Sequence, residues 1–261
     1  MKKAIVTGAY GAIGLAVTEG LARSGMQVFM AGRDPQRLTT AARILNQRLK
    51  EELVFPVVVD LGSRLSIAGF AEHWQGELHL LINNAVTAPR VRTMTPEGME
   101  MQFAVNVMGY WRMMTFLHQM MPAGSRIVNV VSYWAGGLDL SDPEFVRRKY
   151  NNDAAYRQSK QADRMLTAAF ASLLQPREIT VNACHPGDVN SKVSNDLGFG
   201  GSESPEQGAE TPLWLSLSPE LDHVSGKYFE QKQEKCCPFM KDKDAVEALN
   251  RLCAACDKYQ G

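Results

Sequence analysis

Short apolar runs alternate with amphipathic segments along most of the chain, and this alternation constrains the fold more than any other feature. Runs such as "KKAIVTG", "QVFMAGR" and "SRIVNVVS" are almost continuously apolar, as strands buried on both faces require. The spacing of apolar residues between such runs predicts helices near 63–75, 97–121 and 153–174. Strand–helix–strand repetition indicates a doubly wound α/β fold, with a parallel sheet of about seven strands and helices on both faces. No repeat or linker interrupts the pattern, so we expect one domain over 1–261.

Composition and charge argue against several classes of function. Lys plus Arg and Asp plus Glu both number 28, so no basic excess favours nucleic acid or an anionic membrane surface. No apolar stretch is long enough to span a bilayer, and the odd number of cysteines, five, is unlike a secreted disulfide framework. We therefore expect a cytoplasmic protein with no integral membrane segment and no nucleic acid partner. We predict no metal site, because adjacent cysteines are not usual zinc ligands; the sequence leaves open the roles of Cys236, Cys237, Cys253 and Cys256.

A glycine-rich turn follows the first predicted strand. In "VTGAYGAIG", glycines permit a tight turn and let backbone amides approach a pyrophosphate at the start of the next helix. Such turns also serve as plain strand–helix connectors, but their position in the first strand–helix unit favours a dinucleotide site. The candidate binding residues in this turn are Gly8, Tyr10, Gly11, Ala12, Ile13 and Gly14.

The ends of the second and third strands indicate which dinucleotide is bound. Arg33 stands where the adenosine ribose would lie, and arginine there suits the 2′-phosphate of NADP(H). Asp34 is better explained as the N-cap of the following helix, with Pro35 in its first position. Asp60 and Leu61 end the third strand and are suited to bounding the adenine. The sequence thus favours NADP(H) over NAD(H).

Polar residues suited to catalysis occur further along the chain. Tyr156 and Lys160 are four residues apart in a predicted helix, which places them on one face. Ser132 ends the fifth strand, and Asn83 and Asn84 end the fourth, at the sheet edge where α/β proteins bind ligands. Asn106 lies in a largely apolar helical segment, where a buried amide needs hydrogen-bond partners.

Taken in order, these motifs resemble the short-chain dehydrogenase/reductase family over nearly the whole chain. "TGAYGAIG" resembles its glycine motif, "NNA" the motif after its fourth strand, Tyr156 and Lys160 its Tyr-x-x-x-Lys pair, and "HPG" its turn beside the nicotinamide. "AGRDPQRL" and "NACHPGDV" are most similar to the retinol dehydrogenase-like and protochlorophyllide reductase-like branch. Two departures are Ala12 in place of a glycine and Val86 after "NNA", where a β-branched residue tolerates positive φ poorly.

The resemblance implies a Rossmann fold and a homodimer or homotetramer. It implies that the catalytic residues are Asn106, Ser132, Tyr156 and Lys160. It further implies cofactor contacts from Asn84, Ala85, Tyr156, Lys160, Pro186 and Gly187. By resemblance, Asn106 holds a water that links Lys160 to solvent.

The expected activity is NADP(H)-dependent interconversion of a carbonyl and an alcohol on a hydrophobic small molecule. Tyr156 would be the general acid/base, because a nearby ammonium and an oxidised nicotinamide both favour its phenolate and lower its pKa from about 10. Ser132 would orient the substrate oxygen. Substrate loops are expected near 133–155 and 188–204, with aromatic candidates Tyr133, Trp134, Phe145, Tyr150 and Phe199. Two alternatives remain open: a catalytically idle NADP(H) sensor of the same fold, and a reductase of a conjugated carbon–carbon double bond.

Overall fold

The apolar runs form one eight-stranded sheet in the computed structural model, which describes residues 1–258. Its strands are β1 (Lys3–Thr7), β2 (Gln27–Gly32), β3 (Val54–Val58), β4 (Leu80–Asn83), β5 (Arg126–Val130), β6 (Thr180–His185), β7 (Tyr228–Glu230) and β8 (Gln233–Lys235). Their order is β3-β2-β1-β4-β5-β6-β7-β8, and every pair is parallel except β7 with β8. The predicted doubly wound parallel sheet is confirmed, with one strand more than the seven or so expected.

The α-helices cover both faces of this sheet, as predicted. In chain order they are α1 (Ala12–Arg23), α2 (Pro35–Leu49), α3 (Arg64–Glu72), α4 (Gly109–Leu117), α5 (Asn152–Leu174), α6 (Lys192–Asp196), α7 (Pro205–Leu217), α8 (Pro238–Lys241) and α9 (Lys243–Lys258). An apolar core on one face joins the sheet to α1, α2 and α7. The core on the other face joins it to α3, α4, α5 and α9. None of the helices described within 1–258 is long and apolar enough to cross a membrane.

Helix α2 shows how local sequence sets an element boundary. The Asp34 carboxylate accepts hydrogen bonds from the backbone amides of Gln36 and Arg37, both at 3.0 Å, so it caps the helix as predicted. Pro35 occupies the first turn, where its missing N–H costs nothing. This cap fixes the direction in which the chain leaves β2, and therefore where Arg33 and Arg37 lie.

The segment predicted as one helix over 97–121 is less regular than expected. Residues 97–100 are not helical, and Phe103–Met108 forms a π-helical turn that leads into α4. Such a turn inserts an extra residue into the helical repeat and often accompanies functional sites. Asn106 lies within this turn and is fully buried.

Candidate active site

A cavity of about 880 Å³ opens at the carboxyl ends of the parallel strands. It lies where the sheet order reverses, between β1 and β4, which is the usual ligand position in open α/β sheets. Every residue predicted to contact the cofactor lines it, from Gly8 in the first turn to Gly187 after β6. The fold brings all of these residues to the same cavity, and their contact with a cofactor remains a prediction.

The glycine turn is shaped for close approach of a ligand to the backbone. Gly8 has φ +63°, and a Cβ built on it would lie 2.8 Å from Cα of Ala85, so only glycine is tolerated there. Gly11 is the N-cap of α1 and no side chain caps this helix, which leaves its first amides available. Amides at a helix N-terminus bind phosphate groups, so this turn suits a pyrophosphate.

Two arginines lie where the cofactor's ribose would be placed. Arg33 and Arg37 are both exposed and line the cavity. The guanidinium of Arg37 stacks on the ring of Tyr10, with 4.4 Å between the guanidinium carbon and the ring centroid. Arg37 was not predicted from the sequence. Its position in the first turn of α2, close to Arg33, could have indicated it.

Asn83 is the last residue of β4 and Asn84 follows it, but their side chains lie in different places. Asn84 lines the cavity, and its side-chain amide donates to the backbone carbonyl of Thr7 at 2.9 Å. Asn83 is fully buried inside the sheet and donates to the Asn129 side chain at 2.9 Å. The expectation that both face the cofactor is wrong for Asn83, because successive side chains of a strand point to opposite faces. Val86, whose turn geometry was in question, is not among the described residues with positive φ.

Ser132, Tyr156 and Lys160 all line the cavity. Ser132 lies two residues after the end of β5 rather than on it, and Tyr156 and Lys160 lie on α5. The Ser132 hydroxyl accepts a hydrogen bond from the Trp134 amide at 3.1 Å. Burial raises the pKa of Tyr156 to about 12, a side-chain hydrogen bond with Ser132 opposes this increase, and the charge of Asp163 adds to it. The lowering expected from the Lys160 ammonium together with an oxidised nicotinamide remains a prediction.

The Lys160 ammonium is held by groups on two elements. Its Nζ donates to the Asp163 carboxylate at 2.9 Å and to the Val130 carbonyl at 3.2 Å, and it lies 4.9 Å from the ring centroid of Tyr110. Lys160 is almost fully buried. Its charge is therefore compensated by a carboxylate that sequence reasoning missed, although Asp163 is only three residues along the same helix.

Asn106 lies behind the cavity wall rather than on it. Its amide nitrogen donates to the Thr87 carbonyl at 3.0 Å and to the Ser159 hydroxyl at 3.1 Å, and its oxygen accepts from the Thr87 amide at 2.9 Å. Asn106 thus ties the segment after β4 to α5, which holds Tyr156. The predicted water-holding role of Asn106 remains a prediction.

Only some of the aromatic candidates face the cavity. Tyr133, Trp134 and Phe199 line it, and Trp134 packs at 5.9 Å from Phe199 and 6.4 Å from Tyr156, measured between ring centroids. Phe145 and Tyr150 instead pack against each other at 5.5 Å under the 133–155 loop, outside the cavity. The Tyr150 hydroxyl accepts a hydrogen bond from Gln102 and donates one to the Pro89 carbonyl, and the rings of Phe145 and Tyr150 pack within the loop itself.

The segment 188–204 forms one side of the cavity mouth. It contains α6, whose N-cap Ser191 exchanges hydrogen bonds with Ser194 in a capping box. Val189 and Glu203 form an isolated bridge that joins the two ends of the segment. The hydroxyl-bearing residues of this segment that line the cavity are Ser191, Ser194 and Ser202. The segment is therefore a short closed loop beside the site.

The cysteines are spread through the fold. Cys184, Cys237 and Cys253 are buried, Cys236 is exposed and Cys256 is partly exposed, and all five are free thiols. Burial raises the pKa of the Cys184 and Cys253 thiols. No group of three or more His, Cys, Asp or Glu side chains within 1–258 is arranged to hold a metal ion.

Comparison with known proteins identifies the family. The sequence model of the short chain dehydrogenase family matches residues 2–198. Human "Retinol dehydrogenase 13" is 34% identical, over 95% of this chain and 82% of that protein. A "Probable oxidoreductase" of Streptomyces lividans is 35% identical, over 89% of this chain and 86% of that protein.

Solved structures share the fold. An uncharacterized protein from Mycobacterium paratuberculosis superposes with a TM-score of 0.86 at 25% identity, covering 99% of this chain and 94% of its own. A short chain dehydrogenase from Burkholderia cenocepacia in complex with NADP superposes with a TM-score of 0.71 at 21% identity, covering 88% of this chain and 95% of its own. The family match and the curated relatives agree with the motifs described above. The chain belongs to the short-chain dehydrogenase/reductase family of oxidoreductases, in its retinol dehydrogenase-like branch.

Proposed function

We propose that this protein is an NADP(H)-dependent oxidoreductase that interconverts a carbonyl and an alcohol on a hydrophobic small molecule, with Tyr156 as general acid/base. One observation carries the proposal: Ser132, Tyr156 and Lys160 line the same cavity as the glycine turn. A proton donor beside a nucleotide cradle is what carbonyl reduction needs, because the oxygen gains negative charge as hydride reaches the carbon.

The residues divide this chemistry between them. NADPH, when bound, supplies the hydride for reduction. The Ser132 hydroxyl donates a hydrogen bond to the substrate oxygen and positions it beside Tyr156. Tyr156 gives its proton to that oxygen as the new C–H bond forms, so the product is a neutral alcohol. Lys160 stabilises the phenolate that remains until Tyr156 is reprotonated from solvent.

The fit to a dinucleotide is supported by the first turn and by the cavity's size. The uncapped amides of α1 suit the pyrophosphate, and about 880 Å³ lies within the range of cofactor and ligand pockets. Arg33 and Arg37 support the choice of NADP(H), because two guanidinium groups at the ribose end of the cavity bind a charged 2′-phosphate more strongly than a neutral hydroxyl.

An apolar substrate is supported by the outer part of the cavity. Tyr133 and Phe199 are 52% and 49% exposed, so each presents about half of its surface for a ligand to cover. Trp134 packs between Phe199 and Tyr156, whereas Tyr133 packs against His185. The name of the human relative, "Retinol dehydrogenase 13", points to the same class of elongated apolar alcohols and aldehydes.

The experiment that tests the function combines binding with turnover. NADPH and NADH binding would be followed by quenching of Trp134 fluorescence, with Trp134→Phe to assign the signal. Oxidation and reduction would be assayed on aldehydes, ketones, retinoids, quinones and enones of increasing chain length. We expect tight NADPH binding and turnover of long apolar carbonyls. Tight binding without any turnover would support the sensor instead, and turnover confined to enones, with loss of the double bond, would support the alternative reductase.

A further inference from the structure

Asp163 is a fully buried acidic residue that contacts Lys160 of the candidate site. It lies on α5, three residues after Lys160, and is fully buried. One carboxylate oxygen accepts from Lys160 Nζ at 2.9 Å, and the other has no hydrogen-bond partner among the residues that the structure describes. A buried carboxylate with one free oxygen needs an explanation.

Packing alone does not supply that explanation. Leaving a buried polar oxygen without a partner is destabilising, and a buried ion pair seldom stabilises a fold more than apolar residues of similar volume would. An asparagine at this position has nearly the same shape, could still accept a bond from Lys160 and would not bury a charge. The carboxylate is therefore best explained by its effect on its neighbour Lys160.

That effect concerns the charge that Tyr156 experiences. An isolated ammonium one turn away would favour the phenolate form of Tyr156. Here the Asp163 carboxylate compensates the Lys160 ammonium at 2.9 Å. Burial raises the pKa of Asp163 to about 7, although Lys160 opposes that increase, so the carboxylate carries its charge above about pH 7. Burial is the largest influence that raises the pKa of Tyr156, the Ser132 hydrogen bond opposes it, and the charge of Asp163 raises the pKa further.

The other titratable groups around the pair do not reverse this balance. Tyr110 packs from α4, and burial, Asp163 and Tyr156 all raise its pKa, so it remains neutral. Cys184 on β6 and Cys253 on α9 have pKa values raised by burial and carry no charge. Near Tyr156, Tyr133 and Asp188 act in the same direction as Asp163. The neighbours thus also favour a protonated Tyr156.

We propose that Asp163 is a positioning residue that compensates the charge of the buried Lys160 ammonium and so sets the pH range over which Tyr156 can give its proton to the substrate oxygen. This inference rests on the proposed function. It concerns how the rate of each direction of the reaction depends on pH.

The test compares Asp163→Asn with the wild type in both directions of the reaction. Oxidation requires the phenolate of Tyr156, so removing the Asp163 charge should move the midpoint of the kcat/KM profile for oxidation to lower pH by about one unit. Above about pH 7, where Asp163 is ionised in the wild type, oxidation should then be faster in the variant, and the pH at which reduction weakens should be lower by a similar amount. A merely structural residue would lower both activities and leave the pH profile in place.

Asp257→Asn is the matched control. Asp257 is also a buried carboxylate, paired with Arg112 Nε at 2.8 Å, but it contacts neither Tyr156 nor Lys160. Asp257→Asn should lower the free energy of unfolding without moving the pH profile of kcat/KM for oxidation. Equal profiles for wild type and Asp163→Asn, or the same displacement in both variants, would overturn the proposal.

A second readout needs neither turnover nor a stable Asp163 variant. NMR of protein labelled at tyrosine Cζ, with Tyr156 assigned by its absence in Tyr156→Phe, reports the ionisation of Tyr156 in the free wild-type protein. We expect the phenolate to form only above about pH 10, the value for an unperturbed tyrosine. Ionisation clearly below that value would refute the role of Asp163, whether or not a substrate is known. Conversely, a high ionisation midpoint without turnover would contradict only the proposed function.

Discussion

The selectivity of the site for NADPH is the prediction that the structure defines in most detail. Replacing Arg33 and Arg37 by alanine, singly and together, removes the two guanidinium groups at the ribose end of the cavity. A hydrogen bond to a charged group contributes about 1.5–3 kcal/mol. Both side chains are exposed, so we take the lower end, which corresponds to roughly tenfold in Kd for each arginine.

The expected result is a loss of NADPH affinity that exceeds the loss of NADH affinity. Calorimetric titration should show each single variant binding NADPH roughly tenfold more weakly and the double variant up to about a hundredfold, with NADH affinity changed less than about threefold. Raising the salt concentration should weaken NADPH binding in the wild type more than in the double variant.

Arg43→Ala provides the control, since it removes the same charge from an exposed position of α2 outside the cavity. It should leave both affinities nearly unchanged. If the two cofactors lose affinity equally in the Arg33 and Arg37 variants, these residues do not read the 2′-phosphate and the reasoning fails.

Two further predictions concern the substrate loops. Phe199→Ala should raise KM for long apolar aldehydes about fivefold with little effect on short ones, because roughly 1 kcal/mol of apolar contact is lost; equal effects on both in steady-state assays would contradict an apolar wall. Although burial of Asp142 raises its pKa, backbone hydrogen bonds from 146–148 lower it to about 2. Because the folded-state pKa is the lower one, this stabilisation is present above about pH 4 and is lost as pH falls toward 2. Melting temperatures of the wild type should thus fall more steeply over that range than those of Asp142→Asn, and parallel curves would count against this role.

Features set by local sequence were predictable. The cap at Asp34, the turn at Gly8 and the buried strands follow from short-range rules, because one or two residues decide each of them. The position of Ser132 just after β5 and the spacing of Tyr156 and Lys160 on α5 then place three polar groups at the same sheet edge.

Features set by contacts between distant residues were not predictable. Strand β8 consists of the exposed residues Gln233–Lys235, so no apolar pattern announces it. The Asn106 side chain, within the π-helical turn, bonds to partners as distant in sequence as Thr87 and Ser159. The role of Asp163 depends on its burial, since the same residue on an exposed helix face would be a solvated charge with no effect on Lys160.

Tyr156→Phe tests the central claim most directly. Phenylalanine keeps the ring that packs near Trp134 and removes only the hydroxyl, so the fold and the cavity wall should be preserved. We predict that calorimetry will give an NADPH affinity close to that of the wild type, and that kcat for reduction of an apolar carbonyl will fall by at least about a hundredfold, the usual contribution of a general acid. Turnover comparable to the wild type, with the variant folded and binding NADPH, would contradict the account.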